Sequence, residues 1–222
     1  MAKFHLKDPN VYDPEPRWPA LIAVLTIAGL YLALPPQLIV GPWWMFPLLL
    51  VILVIPTEIA HARNLHSMNR ILGFLISGII TVALIASVVL LVNALPEHKE
   101  TPTELLTSAA CLWPTTVLVF ALWYWRLDAG GPHARDRRLC HTDGSFLFPQ
   151  MALPPEIKKA TGETNWSPNF FDYLFLAFNT STAFSPTDVP VLARWAKLLM
   201  MLQSIISLTV LAILAARAVN IL

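Results

Sequence analysis

The sequence predicts an all-α membrane protein: four spans, then a short pore-type helix with a re-entrant turn, then a long C-terminal span. Three observations carry this reading. The 222 residues are 56% hydrophobic and only 13% charged, where a soluble domain carries about 25% charge. Apolar runs of roughly 20 residues recur, each enough to cross a hydrocarbon core of about 30 Å. Near the C-terminus, a shorter apolar stretch ends in small polar side chains and then meets prolines. The formal net charge of +1 says nothing about partners, because in a membrane protein charge position outweighs charge sum. Cys111 lies in an apolar run and Cys140 in a polar loop, which argues against a disulfide framework.

Residues 1–17 read as a polar lead lying on the membrane surface, without the apolar core or cleavage site of a signal peptide. Residues 18–104 read as a three-span bundle. The first span, about 18–40, is anchored by Trp18 and has Pro35-Pro36 near its end. Gly41-Pro42 makes a tight turn into the second span, which starts at Trp43-Trp44 and runs to about 59 with Pro56 near its exit. The following loop carries His61, Arg63, His66 and Arg70, with both histidines read as solvated. Ser67 is the expected N-cap of a third span over 71–95. There, Gly73, Ser77 and Thr81 form a stripe that lets a neighbouring helix approach closely. Loop 96–104 is acidic on balance.

Residues 105–222 read as a second module. An outer helix, 105–125, is kinked at Pro114 and ends in Trp123-Tyr124-Trp125. Loop 126–167 is long enough to be functional or disordered. Its apolar patch, Phe146-Leu147-Phe148-Pro149, is expected to dock on the membrane face or on a neighbouring subunit. His133, Cys140 and His141 match no zinc spacing. No nucleophile elbow, phosphate loop or metal-binding helix appears, so no enzyme, cofactor, metal or nucleic-acid partner is expected.

Ser167-Pro168 is a helix start, a hydroxyl cap followed by proline. The helix 168–180 spans roughly 18 Å, about half a bilayer. A turn over 181–188 and an inner helix over 190–222 follow. Non-helical backbone at membrane depth needs protein or water around it. Asn179, Thr180, Ser181 and Thr182 at the helix end therefore point to a pore lining, joined by Ser185, Thr187 and Asp188 in the turn. A second reading stands beside this one: the hydroxyls bond back to their own helix and glue helices together. Asp172 suits the positive end of its helix. Asp188 either meets a cation or caps the last helix beside Arg194. Gln203, Ser207, Val210, Leu214 and Arg217 share one helical face, with Gln203 and Ser207 as candidate lining residues of the inner helix.

Over about 170–222, this stretch resembles the pore domain of two-span potassium channels. Phe175 to Thr182 stands where that family has its pore helix, and Asp188 where an aspartate closes its filter. Trp195, Lys197, Leu198 and Leu199 match its inner-helix start. Ser185 and Thr187 replace both filter glycines and Pro186 the tyrosine, so the resemblance implies a degenerate filter. It further implies a homo-oligomer, a tetramer, passing a poorly discriminated cation or small solute. The chain is also similar to a group of bacterial multispanning membrane proteins sharing FALWYW, FLFPQM, AFSPTD and ARAVNIL. That similarity implies a bacterial plasma membrane and no particular activity. The alternative function is a non-conducting scaffold that binds a partner through loop 126–167. Charge bias places Arg63, Arg70, Arg126, Arg135, Arg137, Arg138, Lys158 and Lys159 in the cytoplasm; the channel analogy places loop 126–167 outside.

Overall fold

The structure, a computed structural model, describes residues 15–63, 65–94, 101–138, 141, 143–182 and 189–219. Four of its helices are long and apolar enough to cross a membrane. They are α2 (Met45–Ala62), α3 (His66–Ala94), α4 (Pro102–Leu127) and α9 (Arg194–Val219). No strand forms among the described residues; Phe146 and Val191 make an isolated antiparallel bridge.

The first element falls short of the expected span. Helix α1 (Trp18–Leu32) has 15 residues, roughly 22 Å at 1.5 Å each. Pro35 and Pro36 explain the early stop. Neither offers an amide donor, and the residue before a proline is pushed out of helical geometry. A 3-10 turn, Pro36–Leu38, follows, and Val40 N donates to Tyr31 Oη at 3.2 Å. In α2, Pro56 lies inside the helix rather than at its exit.

Helix α3 begins at His66, one residue before the expected cap Ser67. Its small-residue stripe faces α4. Trp123 Nε1 donates to Thr81 Oγ1 at 2.8 Å, and the Arg126 guanidinium lies over Gly73, where any Cβ would collide with it. Helix α4 opens with a reciprocal capping box between Thr101 and Glu104. It is the central post: 67% of its apolar window is buried, against 17% for α2. It packs on α1, α3 and α9, and on α8 (Phe170–Thr182).

Loop 126–167 holds three short helices, α5 (Pro132–Asp136), α6 (Pro149–Ala152) and α7 (Pro155–Ala160). Its aromatic patch does not reach outward as expected. Phe146 and Phe148 are 0% and 3% exposed. Phe146 meets Tyr124, Tyr173 and Trp195 edge-on, and Phe148 packs on Trp166 and Tyr173. Covering the ends of α4, α8 and α9 removes more apolar surface from water than lying on a headgroup layer would. Helix α8 starts at Phe170, two residues beyond Pro168. Asn169, not Ser167, does the capping: its Oδ1 accepts from Phe171 N at 2.8 Å, and its own N donates to Asp172 Oδ2 at 2.7 Å.

Candidate functional site

Helix α8 runs beside only part of α4. Its first residue, Phe170, packs edge-on against Trp125 in the last turn of α4, with ring centroids 5.8 Å apart. Near its end, Phe178 meets Trp113 at 5.6 Å, about three turns earlier in α4, or roughly 18 Å along the axis. When the described chain resumes, it is level with the start of α8 again. Leu147 N donates to Pro190 O at 2.9 Å, and Leu192 N to Ser145 O at 2.8 Å.

At the far end of α8, a polar knot joins three helices. Gln203, midway along α9, is fully buried. Its Nε2 donates to Ala177 O at 2.6 Å and to Ser181 Oγ at 2.7 Å, and its Oε1 accepts from Tyr124 Oη at 2.5 Å. Ser207 Oγ donates to Ser181 Oγ at 2.9 Å. Three of the residues singled out in the sequence, Ser181, Gln203 and Ser207, are thus brought together inside one protomer. Thr180 is buried and bonds back to Leu176 O at 2.8 Å. Asn179 is half-buried and Thr182 exposed, the latter bonding to Phe178 O at 3.0 Å. Ser185, Thr187 and Asp188 lie outside the described residues. On the shared face of α9, Val210 is buried with Gln203 and Ser207.

No protein-family model, no curated protein and no solved structure matches the chain. Function has to be read from its own chemistry.

The sequence pattern did not single out the second polar centre, at the start of α8. Arg135 of α5 is 2% exposed. Its Nη2 meets Glu15 Oε2 at 3.1 Å, and its Nη1 donates to Trp125 O at 2.8 Å and Asp128 O at 3.0 Å. Its guanidinium also lies 4.9 Å from the centroid of the Tyr173 ring. Tyr173 Oη donates to Asp128 Oδ2 at 2.7 Å, and Trp125 Nε1 to Glu15 Oε1 at 2.6 Å. Backbone geometry makes this possible. Ala129 and Gly131 take φ of 52° and 91°, and a Cβ on Gly131 would stand 2.9 Å from Arg126 O. The left-handed turn folds α5 back over the end of α4, and glycine adopts it without strain. One clue was legible: RLDAGGPHARDRR packs charges and glycines directly after an aromatic span end. Among the described residues, no group of three His, Cys, Asp or Glu could hold a metal ion.

His141 sits at the edge of this centre, 4% exposed, with its Nε2 3.6 Å from Asp128 Oδ2. Burial pushes its imidazole below the usual range, and Asp128 pulls only partly the other way. A depressed histidine favours the fold above its unfolded pKa of 6.5 and withdraws that contribution as pH falls. Stability in detergent is expected to drop by up to about 1.4 kcal/mol per pH unit below that value. His141→Gln should flatten the acid limb of the melting profile between pH 6.5 and 5. Identical limbs in the two proteins would refute this.

Proposed function

We propose that the chain is a channel-like integral membrane protein of the bacterial plasma membrane. Its outer helix α4, half-depth helix α8 and inner helix α9 form one sector of a homo-oligomeric pore for a poorly discriminated cation or small solute. One observation carries this reading: α8 ends about 18 Å below the end of α4, yet Pro190 is already back beside Leu147. The described residues on either side, Thr182 and Val189, thus lie at different heights. A dip and return is the economical solution, and such a turn needs water or protein around it at membrane depth. A ring of copies supplies both. The carbonyl end of α8 carries partial negative charge that favours a cation. In this arrangement Gln203 and Ser207 brace α8 from behind, while Asn179 and Thr182 face the pathway.

Thr182 is the direct test, because it is exposed and, among the described residues, bonded only within its own helix. Thr182→Leu is expected to abolish flux in proteoliposomes while leaving assembly intact. Unchanged flux in the variant, or wild-type flux no greater than that of empty vesicles, removes the pore reading.

The closed knot of Ser181, Gln203 and Ser207 favours a second reading, a non-conducting scaffold that uses its polar groups purely to lock helices. A partner would then engage the exposed part of loop 126–167, around Ile157, which is 46% exposed. The mass of the detergent-solubilised particle separates the two readings: a tetramer supports the pore, a monomer the scaffold.

A further inference from the structure

On the face where α3 begins and α4 ends, a cavity of about 420 Å³ opens, within the range of about 300–1,000 Å³ typical of small-molecule sites. Arg17, Arg70, Arg126, His66, His133 and Asp136 all line it. The single lining carboxylate among the described residues is already committed: Asp136 takes Arg17 Nη2 at 2.6 Å on one oxygen and Glu15 N at 2.9 Å on the other. Glu58 lines a smaller cleft next door and pairs with neither of the other arginines. Arg70 and Arg126 therefore have no carboxylate partner among the described residues.

Arg126 is the sharper anomaly. Its Nε is buried and has no hydrogen-bond partner among the described residues, and its guanidinium rests on the Trp125 ring at 5.3 Å. Gly73 leaves the space that this guanidinium occupies. Arg126 is half-buried, and a cation partly withdrawn from water with an orphaned donor favours an anion at its open side. His66 and His133 stack with centroids 3.5 Å apart. Burial first, and then the neighbouring His66, hold His133 below its usual range, so at neutral pH it offers an N–H donor rather than a charge.

We propose that this cavity binds a phosphate-bearing anion recognised by Arg70 and Arg126. The guanidinium fork matches phosphate oxygens in pairs. Basic pockets between spans at the edge of a bilayer suit phospholipid headgroups, and free phosphate shares that chemistry. The site is separate from the α8 turn, so it stands whether or not the chain conducts.

The test uses full-length protein in detergent, delipidated, with thermal melting and native mass spectrometry as readouts. Phosphatidylglycerol, phosphatidylcholine and inorganic phosphate are added separately. Retention of phosphatidylglycerol over phosphatidylcholine assigns a lipid headgroup; stabilisation by inorganic phosphate alone assigns a soluble ligand. Arg70→Gln, at an exposed position that tolerates the change, and Arg126→Gln should each weaken binding about tenfold or more. Should Arg126→Gln fail to fold, Arg70→Gln alone decides. No preference among the three additives, or equal binding by wild type and Arg70→Gln, overturns the proposal.

Discussion

Arg135→Ala is expected to cost the protein about 3–5 kcal/mol, the penalty for leaving one member of a buried ion pair without its partner. Against a total stability of about 5–15 kcal/mol, that is enough to lower the yield of folded protein sharply. The size follows from what Arg135 holds. It faces Glu15 ahead of α1, two carbonyls at the end of α4, and the Tyr173 ring in α8. Arg135→Lys should recover only a fraction, since one ammonium cannot serve a carboxylate and two carbonyls while also stacking on a ring. The loss should depend on pH. Burial raises the Glu15 carboxyl above 4.5 even with Arg135 beside it pulling the other way. A carboxyl with a raised folded pKa favours the fold in acid and loses that contribution as pH rises through its folded value. Removing Arg135 takes away its largest stabilising charge, so the gap between variant and wild type should be narrower at pH 5 than at pH 8. Melting curves in detergent check both statements; a loss below about 1 kcal/mol would mean that the pair behaves like a surface one.

The legible part of this fold was the part written in hydrophobicity. Runs of apolar residues located α2, α3, α4 and α9, because a bilayer imposes one length on every crossing. Helix ends were read less well, since they depend on side chains finding particular backbone atoms. Ser167-Pro168 had the right chemistry for a cap, yet Asn169 captured the amide because Asp172 lay one turn ahead to complete the pair. Residues 18–40 looked continuous in composition, but two prolines divided them into a helix and a 3-10 turn.

The polar sites divide along the same line. Ser181, Gln203 and Ser207 could be picked out because each interrupts an apolar run, and a polar group in lipid is conspicuous. That they would bond to one another required knowing that α8 and α9 meet at those turns. The Arg135 centre and the basic cavity are built from charges within polar loops, where a solvated residue and a buried one look identical in sequence. His66 read as solvated and is exposed; what the sequence did not show is that the left-handed turn at Ala129 and Gly131 brings His133 against it. The patch at Phe146 and Phe148 was visible as apolar, but its direction was not. An exposed aromatic cluster and the lid of a helix bundle share one composition.

Gln203→Leu is the change on which the two functional readings part most clearly. The leucine keeps the volume but removes three hydrogen bonds, leaving the buried Tyr124 hydroxyl with no acceptor. Orphaning such a group costs about 1–3 kcal/mol, whereas removing both partners together is nearly neutral. The double variant Tyr124→Phe, Gln203→Leu is therefore expected to regain most of the stability that Gln203→Leu loses, a non-additivity typical of residues in one network. Flux should not follow stability. If the knot serves only to lock helices, the double variant restores everything there is to restore. If it braces a filter-like turn, Ser181 has still lost its tether to α9 through Gln203, retaining only Ser207. The turn is then free to shift, and the double variant stays defective or loses discrimination between ions even though it melts like wild type. Stability regained together with wild-type flux and selectivity would confine Gln203 to packing, whereas stability regained without them would place the support of the pathway at this one amide.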